Sequence, residues 1–189
     1  FAALDKICSD HKLNYILDGR NVVTEEVLPD NWTFKNTVNL KDIHDKFGTV
    51  PLKTYPIMNI WRETYLRLFQ PFESVQLLNY LPYHKKEVKQ IIMKELGWKD
   101  YGGKHYESVF TRFYQGYILP KKFNVDKRKA HLSNLIFSGQ ITKEEALEEL
   151  KQPICSAELI KEDKEFALKK LGFSEAEFDA YIAHPPIPH

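Results

Sequence analysis

The chain has 189 residues, 43% hydrophobic and 28% charged, which suits one globular domain or one domain with an appendage. Its 27 Lys and Arg against 26 Asp and Glu leave a net charge of +1, so nothing in the bulk charge calls for a nucleic-acid or membrane partner and any anion site has to be local. The two cysteines, Cys8 and Cys155, lie far apart and outside any CxxC or Cys/His spacing, which argues against a structural zinc and fits reduced thiols in a cytoplasm.

A helical pattern (Ala3, Leu4, Ile7, Cys8) runs from Phe1 to Lys12. It is under way at the first residue and lacks an initiator methionine, so the chain is expected to be a piece of a longer protein. The opening mixes charge too early for a signal peptide, and no apolar run approaches the about 18 residues of a membrane span. "LNYILDG" reads as a strand ending at Gly19, and "RNVVTEEVLPDNW" as a loop or short helix stopped by Pro29. "VNLKDIHDKFG" is a helix closed by Gly48 as C-terminal cap. Ile57 to Phe69 is a helix with Ile60, Trp61, Thr64, Tyr65 and Leu68 on one face, and the tryptophans Trp32, Trp61 and Trp98 are expected in core or interface. "SVQLLNYLPY" is a second strand, and Gly97 ends the helix "HKKEVKQIIMKELG". This alternation predicts parallel pairing of strands near residues 13–17 and 74–79.

After residue 100 the strand signals vanish. Helices are expected over 106–119, 127–138, 143–151, 157–171 and 175–183. Thr142 with Glu145 and Ser174 with Glu177 form capping boxes, and Pro153 and Pro185 stop the chain behind the corresponding helices. The first 98 residues therefore read as an α/β part and residues 99–189 as a helical one. His11, His44, His84, His184 and His189 have no metal-ligand spacing and are expected at the surface or at helix ends.

Three stretches concentrate chemistry. In "DYGGKHYESVFTRFYQGYILPKKF", Gly102 and Gly103 allow a tight turn and close backbone approach, Lys104 and His105 add positive charge beside a helix start, and Ser108, Arg112 and Gln115 share one helical face. That set suits a phosphate. The plainer reading is a turn, with Glu107 favouring the helix dipole and Lys104 solvated. In "PKKFNVDKRKAHLSNLIFSG", Asp126 is a good N-cap, yet Lys127, Arg128 and Lys129 crowd the first turn where cations oppose the dipole. Either an anion compensates them or they form a solvated basic face. In "DGRNVVTEEVLP", Arg20, Asn21, Thr24 and Glu25 follow a strand end, where α/β sheets bind ligands; the alternative is a strand-to-helix connection capped by Thr24.

"NYILDGRNVVTEEVLP", "LNYLPYHKKE" and above all "LGWKDYGGKHYESVFTRFYQGYILPKKFNVDKRKAHLSNLIFSGQITKEEALEEL" resemble the N-acetyl sugar amidotransferases of bacterial surface-polysaccharide synthesis. These are the O-antigen (lipopolysaccharide) proteins of the WbpG type, within the PP-loop ATP pyrophosphatase superfamily. The resemblance covers about Asn14 to Leu150 and is densest over Leu96 to Leu150. It implies the C-terminal part of an adenine-nucleotide alpha-hydrolase-like parallel-sheet domain followed by a mostly helical region. It implies further that ATP, with Mg, adenylates the acetamido oxygen of a nucleotide-linked sugar, and that ammonia from a separate glutaminase and its cyclase-like companion converts that group to an acetamidino group. No nucleic acid and no membrane insertion are expected.

The family's SGGxDS phosphate loop would lie upstream of residue 1, so this chain alone is expected to be inactive. Carried onto this sequence, the resemblance assigns catalytic roles to Lys104, His105, Glu107 and Arg112. It assigns nucleotide or sugar binding to Asn21, Thr24, Glu25, Gly102, Gly103, Lys127 and Arg128. Lys104, His105 and Arg112 are expected to converge near the start of the 106–119 helix. Arg20 stands where family members often carry glycine and cannot copy a close backbone approach. A rival reading is a helical or basic module for a polyanion or protein partner with no catalysis of its own: Lys121 to His131 would bind the polyanion, and an exposed apolar patch on residues 140–183 would dock a protein.

Overall fold

Two short strands pair. β1 (Tyr15–Asp18) lies parallel to β2 (Glu73–Gln76), with Tyr15 opposite Glu73 and Asp18 opposite Gln76. The first falls within about two residues of the expected segment, but the second ends at Gln76 and not near residue 79, because Leu77–Tyr80 turns into a short 3-10 helix; the parallel order follows because helices intervene between the strands. The structure is a computed structural model that describes residues 2–25, 27–29, 37–69, 72–104 and 106–186. It is α/β, with a two-stranded sheet and otherwise mostly helices. Among the described residues no strand follows residue 100, and no helix is long and apolar enough to cross a membrane. Trp32, His105 and His189 lie outside the described residues.

The chain divides into two units, the first being Phe1–Val22 with Leu28–Pro82 and the second Val23–Val27 with Tyr83–His189. The first unit holds the sheet together with α1 (Ala2–His11), α3 (Thr37–Phe47) and α4 (Ile60–Phe69). Gly48 closes α3 by close approach: its N–H donates to the His44 carbonyl at 2.6 Å, and a Cβ would stand 2.5 Å from that oxygen. The expected core face of α4 is not a core. Ile60, Trp61, Tyr65 and Leu68 are exposed, Trp61 at 82%, and among the described side chains of the helix the buried one is Leu66, on its opposite side. Cys8 is buried in this unit and both cysteines are free thiols.

The second unit begins with the short α2 (Val22–Glu25), which straddles the division, and continues with α5 (Lys85–Leu96), capped by Gly97 in the left-handed region at φ 63. The next helix starts three residues later than expected. Ser108 takes the N-cap, its Oγ accepting the Thr111 N–H at 3.3 Å, so α6 runs Val109–Phe113 and Glu107 stays outside it. A π-helical turn (Tyr114–Ile118) then leads into α7 (Leu119–Phe123). Pro120 has no N–H for the Gly116 carbonyl and its ring would press on that oxygen, and the wider turn lets the helix continue through the proline. α8 (Arg128–Phe137), α9 (Lys143–Lys151), α10 (Ala157–Leu171) and α11 (Glu175–Ala183) match the expected spans to within a residue. Both capping boxes are formed.

The core of this unit is Phe113, Ile118, Ala167, Leu168 and Phe178, with Tyr114, Tyr117, Ile160 and Ile182 packed against it. The Phe113 and Tyr117 rings stack at 5.4 Å and Phe178 tilts onto both, so the apolar face read on the 109–118 helix does become core. Phe110, read on the same face, remains half exposed and stacks on Tyr114.

Candidate functional site

The glycine loop is held by two acidic groups. Asp100 Oδ1 accepts the Gly102 N–H at 3.0 Å, and the same carboxylate pairs with Lys89 on α5. Gly102 has φ 84, a conformation in which a side chain would be strained. Two residues on, Lys104 Nζ lies 3.0 Å from Glu25 Oε1, a half-buried ion pair across 79 residues of sequence. Glu25 is placed by its neighbour: the Val27 N–H donates to Asn134 Oδ1 at 2.8 Å, and Asn134 Nδ2 donates to the Ala130 carbonyl at 2.8 Å. Asn134 is 2% exposed, so α8 grips the segment after α2 through a fully buried amide.

Gln140 does the same for the start of α5. Its Oε1 accepts the Lys85 N–H at 2.8 Å and its Nε2 donates to the Tyr83 carbonyl at 3.1 Å. The Tyr83 hydroxyl is held above the usual tyrosine range by burial and by the Glu25 charge. Lys85 is pushed below the usual lysine range by burial and then by Lys104 and Lys89.

Arg112 is bound elsewhere. Its Nε and terminal nitrogen reach Asp163 Oδ2 and Oδ1, both at 2.7 Å, and its other terminal nitrogen donates to the Tyr106 carbonyl at 3.1 Å. Lys104 and Arg112 thus have different partners, Glu25 for one and Asp163 for the other. Among the described residues, Arg112 reaches the loop through the Tyr106 carbonyl. The Tyr106 hydroxyl donates to the Ile154 carbonyl at 2.7 Å and accepts from Cys155 Sγ at 3.0 Å, and burial followed by that thiol holds its pKa well above the usual range.

Two cations of the basic stretch, Arg128 and Lys122, find compensation inside the protein. Arg128 pairs with Asp126, whose Oδ1 also accepts the Arg128 N–H at 2.9 Å, and its other terminal nitrogen donates to the Glu149 and Gln152 carbonyls at the end of α9. There its charge complements the helix dipole rather than opposing it. Lys122 donates to the Tyr181 and His184 carbonyls at the end of α11 and lies 4.3 Å from the Tyr181 ring. Lys127 occupies the N-cap position of α8 with helical backbone, and α8 starts at Arg128 instead of 127.

At the strand end, Asp18 takes the Arg20 backbone N–H at 2.8 Å and its Nε at 2.6 Å, and the Arg20 side-chain bond leads in holding the Asp18 pKa below its usual range. Asn21 is 4% exposed, and Thr24 is half buried. The Val22 N–H donates to Asn79 Oδ1 at 2.8 Å, so Asn79 and not Thr24 caps α2. Asn79, Asn134, Gln140, Lys85 and Asp163 escaped the sequence reading. The signal available for Asn134 and Asp163 was a lone polar residue on the inward face of an amphipathic helix.

Chemically, the loop offers a half-buried ammonium with a carboxylate counter-ion that an anionic ligand can displace. Residues 107–189 match the family model described as LPS biosynthesis protein WbpG-like, C-terminal domain. No curated protein and no solved structure matches the chain. The similarity of residues 107–189 points to lipopolysaccharide biosynthesis and to a biosynthetic enzyme family.

Proposed function

We propose that the chain is the C-terminal part of an ATP-dependent amidotransferase that converts an acetamido group of a nucleotide-linked sugar to an acetamidino group in lipopolysaccharide O-antigen synthesis. The observation that carries this reading is the Lys104–Glu25 pair at 3.0 Å on a glycine loop, immediately before a region similar to WbpG-like C-terminal domains. A PP-loop nucleotide domain completed by upstream sequence, a cytoplasmic setting and ammonia from a glutaminase with its cyclase-like companion belong to the same reading.

ATP supplies the activation when bound: the acetamido oxygen takes the adenylyl group, pyrophosphate leaves, and ammonia then displaces AMP at the same carbon. Lys104 is assigned to the phosphate charge that builds on the departing side, where a preorganised ammonium in a half-buried site lowers the barrier. Glu25 holds the Lys104 side chain until an anion replaces the carboxylate. Gly102 and Gly103 let the main chain turn close beside the ligand. Arg112 is a positioning residue, acting on the loop through the Tyr106 carbonyl. His105 and Glu107 flank Tyr106 in sequence and are assigned to the same loop site. Lys127 keeps the assignment of a second anion-binding edge, while Arg128 is assigned to hold the end of α9. Asn21 and Thr24 are assigned to nucleotide or sugar recognition near the strand end. Among the described residues no cluster of His, Cys, Asp and Glu is placed to hold a metal, so the magnesium that accompanies ATP is given no ligand here.

The polyanion reading loses its main support because Lys122 and Arg128 are spent on helix ends. The test of the amidotransferase reading is to supply the complete enzyme with a nucleotide-linked N-acetyl sugar, ATP and ammonium, and to follow AMP, pyrophosphate and the amidine together. Equal yields of the three are expected. ADP as product, or an unchanged sugar, would refute the reaction.

A further inference from the structure

Three lysines crowd the region of the glycine loop. Lys85 and Lys89 stand four residues apart on the same side of α5, and Lys104 closes the loop. Two of the three are neutralised, Lys89 by Asp100 and Lys104 by Glu25. Lys85 forms no ion pair with any described carboxylate. Its side chain is half buried, and Lys104 and Lys89 are the charges that bear on it most, with Glu149 and Asp100 opposing them more weakly.

Nor is the backbone free to carry this lysine away. Gln140 clamps the Lys85 N–H and the Tyr83 carbonyl with its two amide ends, fixing the residue from which the side chain departs. A partly desolvated ammonium near two other lysines works against folding, and the more weakly acting Glu149 and Asp100 charges offset it only in part, since neither forms an ion pair with it. A multiply charged anion would offset it, and would bind Lys104 in the same act.

We infer that Lys85 and Lys104 together hold a phosphoryl group of the substrate, with Glu25 the counter-ion that Lys104 exchanges for it. This rests on the amidotransferase reading for the source of that phosphate, which is either ATP or the nucleotide-linked sugar. The site itself rests on the lysine cluster alone.

The test is titration of the full chain with inorganic pyrophosphate, then in separate arms with ATP and with UDP-N-acetylglucosamine, for the unaltered protein and for Lys85→Met, Lys85→Arg and Lys161→Met. Lys161 is an exposed lysine on α10 and serves as the control. Lys85→Met is expected to weaken pyrophosphate binding at least tenfold while folding at least as stably as the unaltered chain. Lys85→Arg should retain most of the binding, and Lys161→Met all of it. The arm whose affinity falls with Lys85→Met identifies the source of the phosphate. In the unaltered chain the 13Cε signal of Lys85 should move on adding pyrophosphate, a readout that needs no variant to fold. Pyrophosphate affinity that is undetectable, or equal in the unaltered chain and Lys85→Met, overturns the inference, as does a Lys85 signal that stays still. Such a failure would leave the amidation assay untouched, whereas intact anion binding without amidine formation would overturn the reaction and keep the site.

Discussion

Arg112 and Asp163 meet in a two-pronged ion pair, both bonds at 2.7 Å, that ties α6 to α10 across 51 residues of sequence. Asp163 is 2% exposed, so its charge depends on that one partner. Arg112→Ala should therefore cost about 3 kcal/mol or more, because it strands a carboxylate in the interior. Replacing both residues together, as in Arg112→Met with Asp163→Leu, should recover most of the loss. Urea midpoints of the single and double variants decide it. A single variant as stable as the unaltered chain would show the pair to be inert.

Gly116 gives a prediction whose sign is unusual. Glycine to alanine inside a helix ordinarily gains up to about 1 kcal/mol. Here a Cβ would lie 2.9 Å from Cys155 Sγ and 3.1 Å from Ile160 Cδ1, so Gly116→Ala should instead destabilise, by about 1–2 kcal/mol. Cys155→Ala in the same chain should relieve the clash. Thermal denaturation of the two variants reads the difference, and an upward shift for Gly116→Ala alone would contradict the packing described.

What was legible in the sequence was local. Thr142 with Glu145 and Ser174 with Glu177 announce helix starts because each box closes within three residues, and Gly97 announces a stop through its own φ. The first strand was legible through its apolar run, whereas the apolar Leu77 and Leu78 read into the second belong to a 3-10 turn after it. Glu25 with Lys104, Arg112 with Asp163, and Arg128 with the end of α9 were not, since each partner is fixed only by tertiary packing. The basic first turn of α8 looked like a conflict awaiting an anion for that reason: Asp126 is near in sequence, but the Glu149 and Gln152 carbonyls are not. The 106–119 helix also ends later than expected, because the π turn carries it through Pro120 to Phe123.

The capping boxes carry a pH signature. Backbone and hydroxyl bonds from Thr142 hold Glu145 below its usual pKa, and hydroxyl and backbone bonds from Ser174 do the same for Glu177. A carboxylate whose pKa is depressed by folding contributes stability that is fully present above the ordinary glutamate value of 4.5 and is lost as pH falls through the lower folded value. Stability should thus drop across that acidic window. A Thr142→Ala, Ser174→Ala double variant should flatten the drop, besides losing about 1 kcal/mol per hydroxyl at neutral pH. Denaturation curves collected from pH 3 to 7 test it, and parallel profiles for both proteins would contradict it.

The proposed role of the glycine loop depends most on Lys104, and the direct measurement is the amidation rate of Lys104→Ala in the complete enzyme, with kcat and the KM for the sugar nucleotide determined separately. If the ammonium stabilises phosphate charge in the transition state, kcat should fall more than about tenfold, or ~1.4 kcal/mol, and by more than KM rises. Lys104→Arg should restore part of it. Loss of the Lys104–Glu25 pair should leave folding within about 1 kcal/mol, as expected for a half-buried pair with one long, mobile side chain. An undiminished amidation rate in Lys104→Ala would reduce the loop to a structural turn.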